Sequence, residues 1–136
     1  MMVMQVKARN NGETFVCDEG FTCYVISNTA FTVRVTKASK ANVINGTVTV
    51  PAKIKDSNEG KEYSVTQVRF YESGALDKSC TKVVLSEGIQ ELMSLYNSGN
   101  KYVTALELPS TLTNFGYLNN DNLREIIVAE QSLFQV

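Results

Sequence analysis

Histidine and tryptophan are missing from this chain of 136 residues, and proline occurs only twice. Without histidine there is no His-based triad, no Cys–His pair and no ordinary zinc site. Cysteine is scarce as well: Cys17, Cys23 and Cys80 make an odd count that does not build a disulfide framework. Cys17 and Cys23 stand six apart, a spacing that fits no zinc knuckle. All three are expected to be buried or half-buried thiols, with a Cys17–Cys23 bridge across a local turn as the alternative. No run approaches the roughly 18 apolar residues of a transmembrane helix, so no membrane span is expected. Charge of one sign is lacking too. A net charge of −1 offers no field for nucleic acid or an anionic membrane, and no nucleic-acid partner is expected.

What is present is enough apolar material, 43% of residues, for one domain of this length to bury a real core. The start, "MMVMQVKARNNGETF", has only a four-residue apolar patch and is expected not to be a signal peptide. That leaves a cytosolic protein or a trimmed mature segment with an added Met.

The organising feature is a repeat. In "VTALELPSTLTNF" (103–115) the apolar residues Val103, Leu106, Leu108, Leu112 and Phe115 follow neither a helical nor a strand period. Twenty-three residues earlier, "CTKVVLSEGIQEL" (80–92) puts Cys80, Val83, Leu85, Ile89 and Leu92 in the same five columns without a gap. After a 20-residue step, "LREIIVAEQSLFQV" places Leu123, Ile126 and Val128 in the first three columns and then slips, because Ser132 takes the fourth. "GTVTVPAKIKDSNEGKEYSVTQV" supplies Val48, Val50, Val65 and Val68 as a degenerate copy. Three or four units of this length have the period of a leucine-rich array.

In each unit the final L-x-L reads as a short strand with two residues inward, followed by a turn and a second apolar pair that returns to the core. The expected fold is a β-rich α/β solenoid, a short leucine-rich repeat right-handed coil with an N-terminal β-hairpin cap. Residues 1–50 are the cap region and residues 51–136 the repeats, in one continuous domain. Within the cap, Phe31, Val33 and Val35 alternate with polar residues, and Asn45-Gly46 marks a tight turn. Segments such as "YNSGNKY" close each coil with polar, turn-rich residues. Leu133, Phe134 and Val136 leave the last coil apolar, which suggests self-association, a homodimer through that end.

The pattern resembles the BspA-like leucine-rich repeats of bacterial surface proteins. "VTALELPSTLTNF", with Pro109 directly after Leu108, is the nearest copy, and "VTVPAKI" repeats the strand-then-proline signature at Pro51. "EYSVTQV" resembles the family's lead-in to its first full repeat, and "GFTCYVISNTAFTVRV" its N-terminal hairpin. Ser86 and Ala129 stand where that pattern has proline, and only Phe115-Gly116 keeps the glycine after the second apolar pair. The resemblance implies an extracellular or cell-surface protein that adheres to a host or matrix protein. It brings no catalytic motif, so a non-enzyme without cofactor or metal is expected. The alternative is a structural cap with the first repeats of a longer array and no partner of its own.

The remaining candidates for chemistry are bland. Cys80 shares a column with Val103 and Leu123 and reads as a core thiol. Glu87/Glu91 and Glu59/Glu62 fall in turns, where solvated carboxylates are the ordinary outcome. "DSNEGKE" (56–62) lacks the spacing of a calcium loop. Binding is the natural use of stacked strands. With Val83 and Leu85 inward, Lys82 and Val84 point out, as do Ala105 and Glu107, then Glu125 and Ile127. The expected contact face is therefore a Val84–Glu107–Ile127 row, extended by Thr49, beside a Lys82–Ala105–Glu125 row.

Overall fold

A computed structural model describes residues 9–96 and 100–129 of the chain. Period-two alternation, with β-branched and aromatic residues inward, builds nearly all of it. The first half holds β1 (Thr14–Val16), β2 (Thr22–Ser27), β3 (Thr32–Lys37), β4 (Val43–Ile44), β5 (Thr47–Val50), β6 (Lys53–Asp56) and β7 (Lys61–Phe70). The second half holds β8 (Lys82–Leu85), β9 (Glu91–Leu95), β10 (Ala105–Leu108), β11 (Asn114–Tyr117) and β12 (Glu125–Val128). A single 3-10 turn, Lys40–Asn42, is the only helical element among the described residues.

The strands make two mixed sheets. One has seven strands in the order β1-β2-β3-β7-β9-β11, with β6 beside β7; the other runs β12-β10-β8-β5-β4. Parallel pairing joins β3, β7, β9 and β11 in the first, and β5, β8, β10 and β12 in the second. Antiparallel hairpins decorate both, namely β1–β2–β3, β6–β7 and β4–β5. The last of these turns on Asn45 and Gly46, with φ of 50° and 79°, the left-handed pair that a two-residue hairpin needs.

This overturns the expected α/β solenoid with a leucine-rich coil. The protein is an almost all-β structure of two mixed sheets, and its N-terminal hairpin is built into the larger one through β3 and β7. The physical reason lies in the second apolar pair of each unit. Ile89 and Leu112 sit in turns, and Leu92 and Phe115 sit in β9 and β11. Their three-residue gap is a turn residue followed by a strand residue, and no helical turn is involved.

The sequence offsets reappear as hydrogen-bonded register. Val83 pairs with Leu106 and Leu92 with Phe115, both 23 residues apart, while Leu106 pairs with Ile126 after 20. One carbonyl fixes the start of each new strand in the five-stranded sheet. Gly46 O accepts the amides of Thr81 (2.7 Å) and Lys82 (3.1 Å); Thr81 O accepts those of Thr104 (2.8 Å) and Ala105 (3.2 Å). Thr104 O then accepts those of Arg124 (2.7 Å) and Glu125 (3.1 Å).

Inward residues of both sheets meet in one buried cluster. Val48, Val83 and Leu106 come from the smaller sheet, and Val33, Val65, Phe70 and Leu92 from the larger. Each fully buried side chain of this kind is worth about 1.5–3 kcal/mol. Four polar residues are buried among the described residues, Asp56, Ser94, Asn100 and Asn120, and two of them contrast. Asn100 spends its whole amide on backbone: Nδ2 donates to Tyr96 O (2.8 Å) and Phe70 O (3.3 Å), and Oδ1 accepts from Leu76 N (3.1 Å). Ser94, by contrast, buries a hydroxyl with no hydrogen-bond partner. An unsatisfied buried hydroxyl costs about 1–3 kcal/mol, so Ser94→Ala is expected to leave stability unchanged or raise it by about 1 kcal/mol. A urea midpoint clearly below wild type would show that the hydroxyl holds a partner after all.

Candidate functional site

Alternation sends every second residue of β5, β8, β10 and β12 away from the core, and register lines these residues up across the sheet. Thr49 pairs with Val84, Val84 with Glu107 and Glu107 with Ile127. Lys82 pairs with Ala105, and Ala105 with Glu125. All seven residues expected on the contact face therefore lie on one sheet in two adjacent rows. Thr49 and Glu125 are exposed, and the other five are half-buried by their neighbours.

The second row runs further than expected. Thr47 pairs with Lys82, and Ile44 pairs with Thr47 across the Asn45-Gly46 turn, so the row crosses all five strands. Ile44 is 66% exposed, an unusual state for a large apolar side chain beside polar neighbours. A two-residue hairpin at Asn45-Gly46 places its flanking residues opposite each other, so this pairing was available from the sequence. Five strands at the usual spacing span roughly 19 Å.

Two shallow depressions flank the rows. One, of about 380 Å³, is lined by Ala41, Asn42, Ile44, Thr47 and Thr49. The other, of about 250 Å³, lies at the opposite end against Glu87, Glu107, Pro109, Ile127 and Ala129. Glu87 is fixed there by Ser110, whose amide (2.8 Å) and hydroxyl (2.6 Å) both donate to its carboxylate. Those two donors hold the Glu87 carboxyl below its ordinary range. The proposed self-association end, Leu133, Phe134 and Val136, lies outside the described residues.

Elsewhere several titratable groups are engaged structurally. Glu91 accepts from Asn114 Nδ2 at 3.0 Å. Cys80 is buried, its thiol donates to Lys82 O (3.4 Å), and burial raises its pKa, which suppresses the thiolate a nucleophile needs. Asp56, the first residue of the acidic "DSNEGKE" segment, is 2% exposed and paired with Arg9. Arg9 Nε donates to Asp56 Oδ2 at 2.7 Å and Nη1 to Glu13 Oε2, while the guanidinium lies 4.4 Å from the centroid of the Phe15 ring. The bond to Asp56 is the main cause that drives the Arg9 pKa above its ordinary value. Among the described residues, no group of three or more Cys, Asp and Glu side chains is arranged to hold a metal ion. No described helix is long and apolar enough to cross a membrane.

No protein-family model matches the chain, and no curated protein matches it. Among solved structures, the crystal structure of the pneumococcal vaccine antigen PcpA is similar, with a TM-score of 0.50 and 14% sequence identity. The likeness covers 93% of this chain and 40% of that one, so this chain spans about two-fifths of its neighbour's length. At that identity the likeness is one of fold alone.

Proposed function

We propose that this protein is a non-enzymatic binding module that holds a protein partner against the outer face of its five-stranded sheet. The observation that carries this reading is the pair of in-register rows, in which Ile44, Val84, Ala105 and Ile127 interrupt an otherwise polar surface. The strip itself is small. Each partner in a standard interface contributes about 800 Å², so a stable contact extends from the rows onto the two flanking depressions. Lys82, Glu107 and Glu125 put both signs of charge on the face, which fits a mixed protein surface better than a polyanion. The BspA-like sequence resemblance supports a bacterial cell-surface setting and an extracellular-matrix protein as the partner. The fold-level neighbour adds nothing to the choice of partner.

The test is binding of the purified chain to a panel of purified matrix proteins, repeated with the double variant Val84→Lys/Ile127→Lys. Both side chains point away from the core, so the variant is expected to fold. Its affinity is expected to fall by at least tenfold, the effect of losing one or two central contacts worth more than 1 kcal/mol each. Equal binding by wild type and variant would move the contact off this face. Turnover in a broad hydrolase screen would overturn the non-enzymatic reading.

A further inference from the structure

The β1–β2 hairpin carries two buried thiols for which the contact face has no use. Register sets Phe15 opposite Cys23 and Val16 opposite Thr22, so Cys17 enters the turn on the same inward face as Cys23. Both side chains are buried, at 4% and 0% exposure, and both sulfurs are free. A single carbonyl gathers them: Phe21 O accepts the Cys17 amide at 2.9 Å and the Cys23 thiol at 3.8 Å. Each thiol is also the largest influence on the other's acidity.

We propose that Cys17 and Cys23 form a reversible intramolecular disulfide when the protein meets a disulfide oxidant, clasping the tip of this hairpin. The electron balance is that of thiol–disulfide exchange. Cys17 loses its proton to solvent, and its sulfur attacks one sulfur of the external disulfide, whose S–S bond breaks and releases one external thiol. Cys23 then loses its proton and attacks Cys17 Sγ, which releases the second external thiol. The two protein thiols are oxidised, and the external disulfide is reduced to two thiols. The order follows from the local chemistry. The neighbouring Cys23 thiol lowers the Cys17 pKa, while Cys17 and burial raise the Cys23 pKa, so Cys17 supplies the attacking thiolate.

The clasp matters because the hairpin tip is a junction. Asp18 N donates to Lys55 O (2.8 Å), and Asp18 Oδ1 accepts from the Ser57 amide (3.1 Å) and hydroxyl (2.9 Å). Glu19 Oε1 accepts from Lys55 N (3.0 Å), and Glu19 O accepts from Asn42 Nδ2 (2.8 Å). Closing the bridge ties β6 and the Lys40–Asn42 turn more firmly to the edge of the larger sheet.

The experiment is to incubate the folded chain with oxidised glutathione, remove the reagent, and read intact mass, free thiols and a peptide map. The expected product is a monomer lighter by two hydrogen atoms that keeps one of its three thiols and carries a Cys17–Cys23 linkage. Amide exchange at Asp18, Lys55 and Ser57 is expected to slow by on the order of tenfold in the oxidised form. Cys80→Ser is expected to oxidise like wild type, and Cys17→Ser to form no bridge. Should Cys17→Ser fail to fold, the wild-type peptide map decides alone. Three thiols surviving in the folded chain while the urea-unfolded chain oxidises would overturn the proposal. So would a bridge to Cys80, a linkage between two chains, or a glutathione adduct that never closes.

Discussion

Gly116→Ala is expected to destabilise the fold by about 3 kcal/mol, the upper part of the usual range for overpacking. A methyl group built at Gly116 lies 2.3 Å from Met93 O and 2.9 Å from Met93 C, far inside contact distance. The obstacle is backbone, so no side-chain rotation relieves it. Met93 is itself constrained, because the β7–β9 register slips between Val68 and Arg69 and leaves it as the extra residue of a bulge. Gly116 sits against that bulge, between Phe115, paired with Leu92, and Tyr117, paired with Ser94. Alanine there has to push β11 off β9. Gly74→Ala gives the contrast. Gly74 has φ of 81° and nothing within 4 Å of an added methyl, so its cost is conformational, about 1–2 kcal/mol. Urea unfolding of the two variants separates crowding from backbone strain. A Gly116→Ala midpoint within error of wild type would mean that the bulge yields freely.

Asn100→Leu is expected to cost roughly 2–3 kcal/mol, although it replaces a polar group in a buried site with an apolar one of similar size. An interior group left unsatisfied costs about 1–3 kcal/mol, and that is the fate of Leu76 N; Tyr96 O and Phe70 O each lose one bond, although Phe70 O keeps the amide of Tyr96 (2.9 Å). These groups belong to three separate stretches of chain, so Asn100 acts as a bolt through successive layers. The next layer is joined to it, because Asn120 Nδ2 donates to Asn100 O at 3.2 Å. Asn120→Ala is therefore expected to be non-additive with Asn100→Leu, with a coupling of about 0.5–3 kcal/mol. Strict additivity in a double-mutant cycle would show that the two asparagines act independently.

Much of the smaller sheet could be read from the sequence, because its signal is local. An L-x-L triplet fixes which residues face in, and a constant offset fixes which triplets pair, so Val84, Glu107 and Ile127 could be placed in one row in advance. The second wall was harder. Ile89 and Leu92 stand three apart, a gap that a helical turn and a turn-plus-strand satisfy equally, and only pairing with β7 and β11 decides between them. Long-range polar partnerships left no trace at all. Asp56 opens the acidic, turn-rich "DSNEGKE", yet Arg9 reaches it across 47 residues of sequence. Asn100 belongs to "YNSGNKY", which reads as a polar, turn-rich closing segment, yet it is 2% exposed. In both cases burial is set by what folds over the residue, and neighbours in sequence do not report that.

The carbonyls that open each strand of the smaller sheet carry one more implication. Gly46, Thr81, Thr104 and Arg124 occupy equivalent rungs, yet the spans between them are 35, 23 and 20 residues. Chain length from rung to rung is thus free to drift, provided that the paired amides arrive at their acceptor. Residues inserted in the exposed turns of the connectors are expected to loop out and leave the stacking above and below unchanged, because closing a longer loop adds only about 0.6 kcal/mol per doubling. The scaffold keeps its place by the hydrogen bonds at each rung and the core-packed residues of β7, β9 and β11, which leaves exposed turns such as residues 72–74 as the natural sites for grafting new sequence.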